Sequence, residues 1–239
     1  MIPEHEAPAD LVQLMETPFE AQQAFSYPRE SWNRWLGHLD GLGPVIEKLP
    51  DSLDRPTVTA LVGQYAPTEP VAAFVPAMIW GHGNSGYGPF RVARVLTQSK
   101  TPLETGLDES VALKLADGYR AAVENGAVCG YYRMNNEAYI KHLGPAFFTK
   151  WLHFATAANA SDPSEVAPIL DQLVLNWLRE HDVRVKPGRT PGYETYVSIL
   201  STWGEPHKLG PAQVEERIFR LIRDAQEAAR NTQKSLDAD

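Results

Sequence analysis

Apolar residues recur along most of the chain at intervals of three and four positions, the spacing that buries one face of an α-helix. Helix punctuation agrees with this pattern, because Asp108 and Asp162 suit N-cap positions, while Pro89, Pro163 and Pro211 suit first turns. The predicted helices cover residues 10–25, 29–49 with a break near 41–44, 56–65, 70–79, 89–98, 108–125, 135–143, 146–159, 163–181, 193–203 and 211–235.

Composition fits one compact unit spanning residues 1–239, since 43% of the residues are hydrophobic and 22% are charged. No apolar run approaches the roughly 18 residues that a membrane span needs, and the acidic first residues lack the basic-then-apolar order of a secretory signal. A single cysteine, Cys129, excludes an intramolecular disulfide and a cysteine-based zinc site. We therefore expect a cytoplasmic protein without a membrane partner.

The net charge of −8 argues against a protein that binds nucleic acid through bulk electrostatics, because such binding depends on lysine and arginine displacing counterions from phosphates. It does not exclude a local contact made by a few basic side chains and backbone N–H groups. Charge alone therefore favours a partner other than DNA, and a DNA-binding function needs a specific motif.

The most informative segment covers residues 135–179. Its pattern predicts a short amphipathic helix ending at Leu143, a turn at Gly144 and Pro145, and a second helix from Ala146. We expect Gly144 to adopt a backbone conformation closed to other residues, and Pro145 to set the first helical turn. The free N–H groups at the start of the second helix can then hold a phosphate oxygen.

Two stretches, LGPAFFTKWLHFA (143–155) and PILDQLVLNWL (168–178), resemble the helix–hairpin–helix superfamily of DNA glycosylases. The similarity is greatest to bacterial proteins with an 8-oxoguanine DNA glycosylase (OGG) fold and to archaeal 8-oxoguanine glycosylases. In the latter an aromatic residue follows a lysine by one turn, as Phe154 follows Lys150 here. A third stretch, YETYVSILSTWGEPHKLGPAQVEERIF (193–219), is similar to the bacterial subgroup.

This resemblance implies an all-α, two-lobed helix–hairpin–helix glycosylase fold with its catalytic core at about 126–182. It also implies a double-stranded DNA partner carrying a modified base, which the enzyme flips out of the duplex and excises. Gly144, Pro145 and Ala146 would grip the DNA backbone, and Arg91 and Arg94 on a neighbouring helix would contact phosphates.

Asp171 is the catalytic carboxylate that the resemblance implies. It would stabilise the positive charge that develops on the sugar as the glycosidic bond breaks, much as in glycoside hydrolysis. The alternative is an aspartate that only caps a helix or lies on the surface.

Lys150 is the candidate nucleophile for a Schiff base. Its neighbours Phe147, Trp151 and Phe154 are apolar, and a buried amine is more readily neutral and reactive. The alternatives are a lysine solvated at its tip or paired with a phosphate. The family's usual lysine position falls on Ala146 if the hairpin glycines are overlaid, so the assignment requires a hairpin helix that begins one turn earlier.

Aromatic and histidine side chains are candidates for reading the flipped base. Several of them can equally be core residues, and the glycine-rich stretch 80–90 predicts a loop that is either a plain connector or a wall of the pocket. The predicted base pocket consists of Phe154, Trp151, Trp80, His82, Trp203 and His207.

The sequence leaves substrate and reaction type open. The excised base is 8-oxoguanine or a bulky modified base of phage DNA, and the enzyme either forms a Schiff base with lyase activity or acts without one. We expect a monomer with no organic cofactor and no metal held by side chains, although a monovalent cation can sit on hairpin carbonyls. The competing hypothesis is a non-catalytic DNA-binding or protein-binding member of the same fold.

Overall fold

The computed structural model describes residues 6–20 and 22–236, and its regular secondary structure is almost entirely helical. The elements are α1 (Ala9–Glu16), β1 (Phe25–Ser26), α2 (Arg29–Leu36), α3 (Leu42–Lys48), β2 (Ser52–Leu53), α4 (Arg55–Tyr65), α5 (Pro70–His82), α6 (Gly88–Thr97), α7 (Glu109–Asn125), α8 (Ala127–Asn135), α9 (Pro145–Ala157), α10 (Gln172–Glu180), α11 (Thr190–Gly204) and α12 (Pro211–Leu236). The predicted all-α fold is confirmed. The only sheet in the described ranges is the short antiparallel pairing of β1 with β2.

Helix α9 lies at the centre of the molecule and packs against α4, α5, α7 and α8. Every residue from Phe148 to Thr156 is buried, including polar side chains. Helix α5 is buried on nearly all sides from Val71 to Ile79, so it forms the other apolar wall of the core. A reactive group on α9 is therefore screened from water unless a cavity reaches it.

Two predicted helices and one predicted loop in the first half of the chain are corrected by the structure. The helix predicted at 10–25 ends at Glu16, because Pro18 favours an extended conformation at Thr17; residue 21 lies outside the described residues. The break predicted near 41–44 in the helix at 29–49 is present but lies at 37–41, between α2 and α3, where Gly41 has the left-handed conformation. The loop predicted at 80–90 is limited to residues 83–87.

Two predictions around the hairpin are also wrong. No helix covers 135–143: α8 begins directly after Gly126, which has a φ of 85°, and residues 136–144 form turns. The helix predicted at 163–181 is a 3₁₀ turn at Pro163–Glu165, an irregular segment at 166–170, and α10. Hydrogen bonds from side chains hold that segment extended, as described below. No helix within the described ranges is both long and apolar enough to cross a bilayer.

Candidate active site

A buried lysine and a partly buried aspartate meet at the centre of the molecule. The Nζ atom of Lys150, on α9, donates hydrogen bonds to Asp171 Oδ2 and to the Ala146 carbonyl, each at 3.0 Å. The Lys150 side chain is 7% exposed and the Asp171 side chain is 24% exposed. The pair therefore has one largely buried cation and one carboxylate that is accessible from a cavity.

Asp171 is also the N-cap of α10, because its Oδ1 atom accepts a hydrogen bond of 2.9 Å from the Leu173 backbone N–H. One carboxylate oxygen is thus used for the helix and the other faces Lys150. Asp171 is therefore a helix cap, as the alternative interpretation held, and its other carboxylate oxygen also lies beside the candidate nucleophile.

The irregular segment before Asp171, residues 166–170, is fixed to α9 by three polar side chains. Thr156 Oγ1 accepts a hydrogen bond from the Ala167 N–H at 2.9 Å, and Thr149 Oγ1 accepts one from the Leu170 N–H at 3.0 Å. Between them, His153 Nδ1–H donates to the Ala167 carbonyl at 2.9 Å. The same helix that bears Lys150 therefore also holds the backbone that leads into Asp171.

Two tyrosines of α11 complete this arrangement. The Tyr193 hydroxyl donates to the Pro168 carbonyl at 2.8 Å, and the Tyr196 hydroxyl donates to the Ile169 carbonyl at 2.9 Å. Both rings are fully buried. Five side chains thus satisfy buried backbone groups of one short segment, and such full pairing orders it and fixes the carboxylate that follows.

The Lys150–Asp171 pair opens into a small cavity of about 100 Å³. Gly81 borders it, and a Cβ atom at that position would lie 2.6 Å from Lys150 Cδ. A residue with a side chain at position 81 would therefore displace the lysine stem. The cavity is lined by Gln22, Arg55, Trp80, Gly81, Lys150, Ile169, Asp171, Glu215 and Phe219.

Arg55 organises one side of this catalytic cavity. Its guanidinium carbon lies 4.9 Å from the Trp80 ring centroid, and its nitrogens lie 3.5 Å from Glu215 Oε2 and 3.4 Å from Glu216 Oε1. Its Nη1 atom donates at 3.1 Å to His153 Nε2, which must accept because Nδ1 carries the hydrogen given to Ala167. Sequence analysis missed Arg55 and Glu215, since either one on a helix is typical of a solvated surface.

Three buried polar atoms of the cavity residues make no hydrogen bond among the described residues: Arg55 Nε, Trp80 Nε1 and Glu215 Oε2. Arg55 Nε and Glu215 Oε2 take part in the ion pairs described above, so only Trp80 Nε1 has neither kind of polar contact. Glu215 is 1% exposed. Burial raises the pKa of Glu215 to about 7, against the opposing effect of the Arg55 charge. A buried donor and a buried acceptor at one cavity favour a polar ligand that pairs with both.

His153 and His82 are neutral at neutral pH, because burial lowers the pKa of each ring. Burial, with Arg55 next, lowers the pKa of His153 to about 3. Burial, followed by the charges of Arg91 and Lys150, lowers the pKa of His82 to about 4. Neither ring is therefore a general acid at neutral pH in the free protein.

A second cavity, of about 330 Å³, lies beside the hairpin and is rich in basic side chains. We call it the cationic pocket. Phe147 links it to the catalytic pair, because its ring stacks on His82 at 4.2 Å and lies 5.2 Å from Lys150 Nζ. The polar side chains that line the cationic pocket are those of His82, Arg91, Arg94 and His142, with Gly144 at its edge.

The conformation of the hairpin differs from the prediction. Gly144 has a φ of −83°, and a Cβ atom there would meet no atom within 4 Å. It therefore needs no glycine-specific conformation, and the left-handed residue of the hairpin is His142, with a φ of 72°. Pro145 does occupy the first turn of α9, as predicted, and the Arg94 Nη2 atom lies 3.2 Å from His142 Nε2.

The structure places the predicted base-pocket residues in different environments. Trp80 lines the catalytic cavity and His82 lines the cationic pocket. Phe154 is fully buried and supports the Trp80 ring edge-on at 5.1 Å. Trp151 is also fully buried, and its Nε1–H donates to the Leu115 carbonyl. Trp203, near the end of α11, and His207 border neither cavity.

No cluster of three or more metal-ligating side chains occurs within residues 6–20 and 22–236. What the site does offer is a buried amine, a carboxylate at hydrogen-bond distance, and an aromatic wall. This set of groups suits covalent or electrostatic catalysis at an electrophilic carbon.

Comparison with known proteins identifies a family for the chain. The model of the family described as "Putative 8-oxoguanine DNA glycosylase OGG-like protein" matches residues 20–219, a range that includes Lys150, Asp171 and both cavities. No curated protein and no solved structure matched the chain. Because the match spans most of its length, the chain belongs to the OGG-like family.

Proposed function

We propose that this protein is a DNA glycosylase that extrudes a modified base from duplex DNA and cuts its N-glycosidic bond. The observation that carries the proposal is the 3.0 Å contact between buried Lys150 and Asp171 at the floor of a cavity. In a protein of the OGG-like family, this pair provides both groups that the chemistry needs.

In the proposed reaction, Lys150 releases its ammonium proton to water in the cavity, and the neutral amine attacks C1′ of the deoxyribose. The new N–C1′ bond forms as the bond to the base breaks, and the base leaves with the electron pair and takes the proton that the new C1′–N ammonium gives up. Asp171 stabilises the positive charge on the sugar during this step. Opening of the sugar ring then gives a Schiff base, from which β-elimination can nick the strand.

Trp80 and Glu215 are the groups we propose to read the extruded base. The Trp80 indole N–H is a donor and the Glu215 carboxyl is an acceptor or, when protonated, a donor. Both line the cavity beside Lys150; Trp80 Nε1 makes no hydrogen bond in the described ranges, and Glu215 Oε2 has only its ion pair with Arg55. A base that lacks matching groups would leave them unpaired, which penalises the wrong substrate.

The cationic pocket and the start of α9 are the proposed contacts to the DNA backbone. Arg91 and Arg94 supply charge, and the N-terminal turn of α9 supplies the Ala146 N–H, which the helix itself does not use. A monovalent cation on the hairpin carbonyls would add to this grip without entering the chemistry. These local contacts suit a protein whose net charge is −8.

The substrate we propose first is 8-oxoguanine. A bulky modified base of phage DNA is a second candidate, favoured by an adjoining cavity of about 250 Å³ that shares Gln22, Arg55 and Phe219 with the catalytic cavity. Arg220, Arg223 and several acidic and amide side chains line it, so it can accept a polar substituent. The first substrate places the protein in base excision repair in the cytoplasm, and the second in antiviral defence.

Borohydride trapping on a panel of modified duplexes tests the proposal. A trapped adduct with base release identifies a glycosylase with lyase activity, and base release without an adduct identifies an enzyme in which Asp171 acts without a lysine nucleophile. Neither product on any duplex, including hypermodified phage DNA, contradicts the proposal and favours a DNA-binding or protein-binding role. Light scattering of the purified protein tests the expected monomer.

A further inference from the structure

Tyr87 is a large aromatic residue that remains 56% exposed beside the proposed DNA-contacting groups. It forms the N-cap of α6, directly after the short loop at 83–87. Arg91 and Arg94 follow it at four and seven positions, so all three lie on one face of α6. The other exposed large apolar side chains in the described ranges are on different elements: Leu103, Leu113, Tyr132 and Tyr139.

The Tyr87 ring is held in place although it is exposed. Its centroid lies 5.1 Å from that of Phe90, and the Arg91 guanidinium carbon lies 5.4 Å from it. Phe90 is itself fixed by an edge contact of 5.1 Å with Trp35. A ring supported on one side and open on the other is prepared for stacking, because little side-chain freedom is lost when it binds.

A continuous line of contacts connects Tyr87 with the reacting amine. At the next residue, Gly88, a Cβ atom would lie 2.7 Å from the His82 side chain. The His82 ring stacks on Phe147, which in turn lies 5.2 Å from Lys150 Nζ. The exposed ring therefore lies close to the cationic pocket, which Phe147 links to the catalytic pair.

Removing a base from the double helix leaves a gap in the stack, and its neighbours lose their stacking partner. We infer that the Tyr87 ring enters this gap and stacks on the adjacent base while Arg91 and Arg94 hold the phosphates. This inference rests on the proposed function, because it assumes base extrusion. Tyr87 is a positioning residue in this account, since it touches the DNA but neither the reacting sugar nor the excised base.

Tyr87→Ala and Tyr87→Phe separate the ring from the hydroxyl. We expect Tyr87→Ala to slow single-turnover excision from duplex DNA by about tenfold, the scale of one lost base–aromatic stack, and Tyr87→Phe to remain close to wild type. Leu113→Ala on α7 is the control for removing an exposed apolar side chain. Thermal unfolding checks that all variants fold.

A second measurement requires no excision. A duplex carries a tetrahydrofuran abasic analogue beside 2-aminopurine, and stacking of a ring in the gap changes the fluorescence of that base. The wild type and Tyr87→Phe should give the same change on binding, and Tyr87→Ala should lose it.

The inference would be overturned if Tyr87→Ala excised the base at the wild-type rate and gave the wild-type fluorescence change. It would also be overturned if Tyr139→Ala, and not Tyr87→Ala, lost both. Those outcomes leave the glycosylase proposal intact, because the wild type still excises. A wild type that neither binds nor cuts any duplex would overturn both.

Discussion

Asp171→Asn separates the two roles that the structure gives to this side chain. Asparagine keeps the size of the group and still accepts from the Leu173 N–H, so the cap of α10 is retained. What is lost is the negative charge 3.0 Å from Lys150 Nζ. The variant therefore removes the electrostatic role and leaves the structural role in place.

The cost in stability follows from the burial of the pair. Breaking a buried ion pair costs roughly 3–5 kcal/mol, but the Asp171 side chain is 24% exposed and Lys150 keeps its bond to the Ala146 carbonyl. We expect about 2 kcal/mol, which lowers the melting temperature by roughly 4–8 °C in a protein of this size. Excision should fall by about 100-fold or more, since a transition-state charge contributes several kcal/mol.

The assay is single-turnover excision with enzyme in saturating excess, together with thermal unfolding and DNA affinity. Asp108→Asn is the matched control, because Asp108 is also a half-buried aspartate that caps a helix through a backbone N–H, but it lies outside both cavities. We expect the control to retain the melting temperature and the rate. DNA affinity should be nearly unchanged in both variants.

Excision by Asp171→Asn within about tenfold of the wild-type rate would refute the reasoning, because the carboxylate would then contribute too little to be catalytic. An equal loss in Asp108→Asn would also refute it, since the effect would then belong to helix capping.

Three further predictions follow from the site. Gly144→Val should fold normally, because a Cβ atom meets nothing within 4 Å, and weaken binding to damaged and undamaged duplex alike in an anisotropy titration. Partial desolvation, and then the charge of Arg94, lowers the pKa of His142 in the free protein. The negative charge of a bound phosphate should raise this pKa, so that binding takes up a proton. DNA affinity should therefore rise as pH falls from about 7.5 to 5.5, and it should rise less in His142→Asn. The pKa of Glu215 rises from 4.5 to about 7 on folding, so the free energy of unfolding of the wild type falls as pH rises between those two values. In urea unfolding, Glu215→Gln should gain roughly 3 kcal/mol of stability relative to the wild type over the same rise in pH.

Periodicity predicted the helical class and most helix positions, because amphipathic spacing and proline punctuation are local signals. It failed at 135–143 and 163–181, where tertiary contacts decide the backbone. At 166–170 the backbone bonds to Thr149, Thr156 and His153 instead of to itself. A signal was present: His153 and Thr156 follow Thr149 at four and seven positions, and apart from Lys150 the other residues of the helix are apolar.

The candidate site was also predicted only in part from the sequence. The family resemblance pointed to Lys150 and Asp171, and the structure brings them together across 21 positions of sequence. Arg55 and Glu215 could not be found in this way, since helix spacing does not reveal that two charges from α4 and α12 are buried against each other. Trp151 and Phe154 look like pocket residues in sequence, but the central position of α9 buries both rings fully.

Borohydride trapping with wild type and Lys150→Gln tests the central claim most directly. On duplex DNA containing the excised base, we expect the wild type to form a covalent adduct that maps to residue 150 by mass spectrometry. Lys150→Gln should form none and should release base far more slowly, although it still binds DNA. Wild-type single-turnover excision by Lys150→Gln, or an adduct that maps to another residue, would contradict the account.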